Sequence, residues 1–281
     1  MRPLWPNVLY LSRLSLNLRN RGVRDDLANS QALHRRVLDA FPQTSREANG
    51  LLYRVDPVGE SLLNGATLLA QSVSEPDWSR LPDGYLVAPD GYGLDLDGDA
   101  QVKDIAASYG GIRVGDLFRF RLRASPTKRI AWDVFRDAYP ERAAIRERGR
   151  PDRDPRKLNG PRVPVTDYTI EKILWERAHP GEKYEHPESS ESMLHAWMVR
   201  KGREHGFLVA DLQIRPDPLT GDMQYGQKTG ADGKPQGLSH KAIVFDGVLK
   251  ITDLDAFQTA LRQGIGSGKA YGFGLLSIRR V

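Results

Sequence analysis

His34 lies in the run QALHRRVLDAF, residues 31–41, and is one of six histidines in a chain of 281 residues that has no cysteine. An imidazole gives and takes protons near neutral pH, so a histidine beside a substrate can act as general base or acid. The lack of cysteine excludes disulfides, thiolate catalysis and cysteine metal sites, and fits a reducing cytoplasm. His179, His186, His195, His205 and His240 show no metal-ligand spacing and no pair forms H-E-x-x-H; they read as surface or structural residues. No Ser-His-Asp set or carboxylate pair can be argued from spacing alone.

A second chemical feature closes the chain. Residues 264–274, GIGSGKAYGFG, hold five glycines and one lysine. Glycine removes Cβ and permits positive φ, so such a loop brings its backbone close to something. It is not a Walker A loop. Counting back from Gly268-Lys269, Gln263 stands where the first glycine belongs, and Ala270 stands where a magnesium-holding hydroxyl belongs. G-x-G-x-x-G fails as well, because Tyr271 occupies the third glycine position. No nucleotide cofactor is expected. The loop reads either as a tight turn packed between helix and strand, or as a surface approaching a larger phosphate-bearing ligand with Lys269 as a point charge.

The third feature is LFRFRLR, residues 117–123, a strand of period two. Phe118, Phe120 and Leu122 face one way and Arg119, Arg121 and Arg123 the other. It opens a basic stretch: from Arg113 to Arg162 there are 15 lysines and arginines against 7 acids, while the whole chain carries only +5. Concentrated basic charge beside a slightly acidic remainder suits a polyanionic partner, or simply a solvated face. No apolar run approaches the ~20 residues of a membrane span, and residues 1–18 lack a signal-peptide core.

The elements that must position these residues follow from periodicity. Val8–Leu18, Leu51–Val55 and Thr67–Val73 read as strands, and Gln31–Phe41 reads as a helix stopped by Pro42. Glu75–Gly115 reads as loop and short elements, and the arginine- and proline-rich Tyr139–Pro164 as a mobile insertion or long loop. Ile170–Arg177 and Met193–His205 have helical spacing. Leu208–Ile214 and Lys241–Ile251 are strands, Leu254–Arg262 is a helix, and Leu275–Ile278 is a last short strand. The second half thus has the βαββαβ order of a ferredoxin-like domain. The first half reads as a second copy with a degraded second helix. The fold class is α+β with two tandem ferredoxin-like domains, residues 1–112 and 113–281.

Several stretches carry a family resemblance: LYLSRLSLN from Leu9, DLANSQALHR from Asp26, SEPDWSRL from Ser74, FRFRLRASPTKR from Phe118, KAIVFDGVLKITD from Lys241, and GIGSGKAYGFGLLSI from Gly264. Together they resemble the CasE family, the endoribonuclease subunit of type I-E Cascade complexes. They leave residues 91–111 and 131–191 uncovered. The resemblance implies tandem ferredoxin-like domains that bind a CRISPR repeat hairpin and cleave pre-crRNA at the 3′ base of the stem. It implies metal-independent chemistry through the RNA's own 2′-hydroxyl, giving a 2′,3′-cyclic phosphate and a 5′-hydroxyl. It also implies retention of the crRNA among other Cascade subunits. His34 matches the catalytic histidine, although its place on an apolar helical arc would equally suit a core residue. Arg119, Arg121, Arg123, Lys128 and Arg129, with Gly266, Gly268 and Lys269 of the loop, are the expected RNA contacts. Two departures stand out. Gln31 occupies the place of a tyrosine three residues before the histidine, and Asp39 that of a helper five residues after. Glutamine cannot shuttle a proton. Lys269, Tyr271 and Arg129 are the candidates to help instead, and a non-catalytic hairpin-binding scaffold is the alternative function.

Overall fold

The computed structural model describes residues 8–59, 64–87, 100–148, 160–185, 188–221, 223–229 and 235–281. They form two compact units: Met1–Ser125 with Met198–Val281, and Pro126–Trp197.

The first unit begins with β1 (Tyr10–Leu16), α1 (Arg21–Ala28) and α2 (Ser30–Leu38), followed by β2 (Leu52–Pro57), β3 (Ala66–Ser72), β4 (Gln101–Asp104) and the short α3 (Ala106–Gly110). The four strands make one antiparallel sheet in the order β2-β3-β1-β4. That is the strand order of a ferredoxin-like fold, in which the central pair are the first and third strands. Leu14, Leu16, Tyr53, Val55 and Leu68 project from the sheet onto Leu33, Val37 and Phe41, so the apolar side of α2 closes this core. Where the fold places its second helix, between β3 and β4, the described residues hold only the three-residue 3-10 turn Trp78–Arg80.

The same unit contains a second sheet, from β5 (Leu117–Ala124), β8 (Phe207–Pro216), β11 (Ile243–Ile251) and β12 (Leu276–Arg280), ordered β12-β5-β11-β8 and again antiparallel. The pattern of four strands is repeated, so the α+β class with two ferredoxin-like sheets holds. The expected division at 112/113 falls between α3 and β5. Phe120 meets Phe207 at 6.4 Å and Phe207 meets Phe257 of α8 (Leu254–Gln263) at 5.9 Å, which builds the second core from aromatic rings. Between β8 and β11 the chain inserts a hairpin that sequence periodicity did not reveal, β9 (Met223–Thr229) with β10 (Pro235–Lys241). Its strands are rich in Gln, Gly, Lys and Ser and lack apolar alternation.

The second unit holds β6 (Thr127–Arg129), α4 (Trp132–Ala138), α5 (Pro140–Arg148), β7 (Arg162–Pro164) and α6 (Thr169–Ala178), and α7 (Ser190–Glu204) starts within its range. The expectation of a long loop over Tyr139–Pro164 is corrected here. Pro140 is the first residue of α5, where its missing N–H and fixed φ favour a helix start. Ala143 is buried with Trp132, Phe135, Ala138 and Ile170 in a core of its own. Residues 149–159 of that stretch lie outside the described residues. No described helix is long and apolar enough to cross a membrane.

Candidate active site

Helix α2 starts cleanly because Asn29 caps it, its side chain accepting from the Gln31 N–H. Leu33 and Val37 take its buried stripe, which leaves His34 at the edge of that stripe, half-buried. The imidazole stacks nearly parallel to Tyr53, with centroids 6.3 Å apart and 10° between planes. It stands edge-on to Tyr271 at 6.4 Å and 72°. Its Nδ1 is buried with no hydrogen-bond partner among the described residues, which leaves Nε2 as the nitrogen available to a substrate. Burial lowers the His34 pKa, the Arg46 guanidinium lowers it further, and Glu47 opposes both. The ring is therefore held neutral at neutral pH, the form a general base requires.

Tyr53 and Tyr271 bring the two ends of the chain together. Gly268 and Gly272 have φ of 74° and 79°, a left-handed backbone that suits glycine, and they bracket a 3-10 turn over Lys269–Tyr271. Three successive carbonyls of this segment are held by side chains. The Tyr53 hydroxyl donates to Ala270 O at 2.8 Å, Gln224 Nε2 to Tyr271 O at 3.2 Å, and Arg123 Nη1 to Gly272 O at 3.2 Å. Gln224 arrives on β9, which runs against the start of α2: a Cβ on Gly226 would collide with the Ser30 hydroxyl. The hairpin therefore joins the histidine helix to the glycine loop, and its sequence gave no sign of that role. The loop is a tight turn, and the Tyr271 ring it carries stands edge-on to His34.

Arg46 acts on both His34 and Lys269, with Glu47 opposing it in each case. Lys269 is half-buried, and no ion pair engages it among the described residues. Its pKa is lowered, first by burial and then by Arg46 and Lys201, with Glu47 opposing. Arg46 is tethered to Glu47 at 2.6 Å and to the Leu51 carbonyl at 3.0 Å. His240 on β10 was expected to be surface or structural. It lies half-buried behind Tyr271, 5.0 Å between centroids, with Nε2 buried and without a hydrogen-bond partner among the described residues.

The structure scatters the arginines expected to face RNA. Arg119 is exposed. Arg121 makes a two-pronged contact with Asp246, at 2.6 and 3.2 Å, and Arg215 joins the same carboxylate at 3.0 Å. Arg123 is 3% exposed, and its guanidinium meets Asp217 at 2.8 Å and Gln224 at 2.9 Å. The expectation of a phosphate contact from Arg123 is corrected: its polar atoms face inward, and it props the glycine loop from beneath. Alternation along β5 could not show this, because a buried arginine and a solvated one look alike in sequence. Lys128 and Arg129 fall in the second unit, Lys128 bound to Glu171 at 2.7 Å and Arg129 exposed. Gly266, Gly268 and Lys269 remain together on the loop. Asp39 is exposed and turns to Arg36 at 3.5 Å. His179 stacks on Trp175, His195 is exposed, and His186 lies outside the described residues. No group of three or more metal-ligating side chains occurs among the described residues.

The model of the CRISPR associated protein family matches residues 9–280. This chain belongs to that family. The CRISPR-associated endoribonuclease Cse3 of Thermus thermophilus is 28% identical over 274 residues, covering 96% of this chain and 99% of the relative. Among solved structures, Thermus thermophilus Cse3 bound to an RNA representing a pre-cleavage complex matches with a TM-score of 0.60 and 26% identity, over 97% of this chain and 99% of that one. The Cas6e protein of Escherichia coli K-12 matches with a TM-score of 0.52 and 21% identity, over 97% and 100%. The latter likeness is one of fold. The fold of this CRISPR-associated protein is thus shared with these relatives over nearly its whole length.

Proposed function

We propose that the protein is the CRISPR repeat endoribonuclease of its system, cutting pre-crRNA at the 3′ base of a hairpin and remaining with the crRNA among other Cascade subunits. The observation that carries this reading is His34, a half-buried imidazole packed against two tyrosines, one of them on the turn that also carries Lys269. Full-length similarity to an endoribonuclease, and to a structure of that relative with RNA, supports the same conclusion. A cytoplasmic setting belongs to this reading and is supported by the cysteine-free composition.

The chemistry needs no metal ion or cofactor. Nε2 of His34 accepts the 2′-hydroxyl proton, the 2′-oxygen forms a bond to phosphorus, and the bond from phosphorus to the 5′-oxygen breaks. A 2′,3′-cyclic phosphate and a 5′-hydroxyl result: the leaving 5′-oxygen takes a proton from solvent, and His34 returns to solvent the proton it took from the 2′-hydroxyl, so it ends neutral. Lys269 holds the phosphate as a point charge, and Arg119 is free to add a contact along the stem. Base catalysis of this kind is worth about 10²–10⁴-fold.

The test is a gel assay of labelled repeat hairpin in EDTA, comparing the wild type with His34→Ala. Cleavage by the wild type alone, ending in a cyclic phosphate, is expected. Tight binding without cleavage by either protein would instead favour a scaffold subunit, the second reading, which Gln31 and Asp39 motivate because neither side chain can replace a proton-transferring or cationic helper.

A further inference from the structure

The histidine helix, strand β2, the hairpin and the glycine loop converge on one side chain, Tyr271. Its ring is edge-on to His34 at 6.4 Å and backed by His240 at 5.0 Å. The turn that carries it is over-determined. The carbonyls of residues 270, 271 and 272 each accept from a different buried side chain, and Tyr271 N–H donates to Gly268 O at 2.8 Å. Such constraint fixes the backbone of the turn, and the ring it carries packs between the two imidazoles. The hydroxyl is treated differently: among the described residues it meets no hydrogen-bond partner. Burial also raises the phenol's pKa, so the group stays a donor through the neutral range. A half-buried donor with no partner among the described residues, carried on a fixed turn and with its ring edge-on to the general base, is the kind of group that oxyanion stabilisation uses.

We infer that Tyr271 is a second catalytic residue, whose hydroxyl donates a hydrogen bond to a non-bridging oxygen of the scissile phosphate while His34 takes the 2′-proton. The inference rests on the endoribonuclease reading. No proton leaves Tyr271; its hydrogen bond strengthens as negative charge builds on the phosphoryl oxygens. Lys269, on the same turn, attracts the phosphate in ground state and transition state alike, so the two neighbours divide binding from rate. Gln31 on α2 is not needed for this task, because the donor comes from the other end of the chain.

The experiment uses Tyr271→Phe, which keeps the ring and the turn and deletes only the hydroxyl. Single-turnover cleavage of the repeat hairpin is measured in EDTA, with hairpin affinity taken from an RNA carrying a 2′-deoxy nucleotide at the cut site. The rate is expected to fall about 10²–10³-fold, the usual loss for one such donor, with affinity changed less than about twofold. Scissile phosphorothioates of each configuration supply a readout that a structural role would not move. One diastereomer should slow the wild type, and Tyr271→Phe should be insensitive to it. A rate within about threefold of wild type overturns the inference, as does a slow variant that keeps the full stereospecific effect. Failure of the wild type itself to cleave is a separate result, and removes the endoribonuclease reading together with this one.

Discussion

Two adjacent residues of opposite charge, Arg46 and Glu47, act on one imidazole, and that gives the His34 assignment a sharp test. As a base, His34 must be neutral, so kcat/KM should rise with pH along a limb centred below the ordinary histidine value of about 6.5. Arg46→Gln removes a cation that depresses the pKa and leaves Glu47 unopposed, so the limb should move to higher pH. Glu47→Gln leaves Arg46 unopposed, so the limb should move lower. Shifts of the same sign in both variants would mean that another group is titrating. The arginines of β5 allow a parallel comparison. Asp217→Ala strands the buried Arg123 guanidinium and should cost about 3–5 kcal/mol in urea unfolding. Arg119→Ala removes an exposed side chain and should change stability by about 0.5 kcal/mol or less. If Arg119 contacts the stem, hairpin binding weakens and its salt slope becomes shallower; an unchanged slope removes Arg119 from the interface.

At the scale of elements, the glycine loop is a scaffold whose shape is set by backbone conformation. Gly268→Ala forces an alanine to φ near 74° and brings its Cβ to 2.9 Å from the Phe273 ring. The strain is about 1–3 kcal/mol, and because it falls on the turn carrying Lys269 and Tyr271, cleavage should drop by more than hairpin affinity does. Equal losses in both would mean the turn serves binding alone. The loop was legible as a close-approach segment from its glycines, and the two sheets were legible from strands whose apolar residues alternate, such as Phe118, Phe120 and Leu122. Other elements were hidden for physical reasons. The β9–β10 hairpin packs by close backbone approach at Gly226 and by Gln224, neither of which leaves a periodic apolar trace. Helices α4 and α5 bury Trp132, Phe135 and Ala143 among arginines whose number resembles that of a solvated loop. In the site, His34 and Lys269 stood out by type, whereas Tyr53, Arg46 and Gln224 are defined only by contacts that the chain's fold creates, such as Tyr53 with Ala270 and Gln224 with Tyr271.

Over the whole molecule, the three half-buried histidines make stability depend on pH in a definite direction. Burial lowers His34, His205 and His240, with help from Arg46, Lys201 and Arg123 respectively. In the unfolded chain each binds its proton near pH 6.5; in the folded one each binds it only at lower pH. Below that value the unfolded state therefore holds more protons, and stability falls as pH falls. The stabilising contribution is complete above about 6.5 and is lost as pH drops through the folded values. The carboxylates Glu47, Glu204 and Asp246, held below their ordinary range chiefly by cationic partners, withdraw their share only nearer pH 4. Melting temperature should thus be flat from pH 8 to about 6.5 and decline between about 6.5 and 5, before any acid transition of the carboxylates. His240→Gln removes one of the three titrations without touching His34, so its decline over that window should be shallower than that of the wild type. A melting temperature that stays level from pH 8 to 5 would mean these imidazoles can be protonated in place, and the neutral state argued for His34 would go with it. The stability curve and the pH dependence of cleavage therefore test one electrostatic arrangement from two sides.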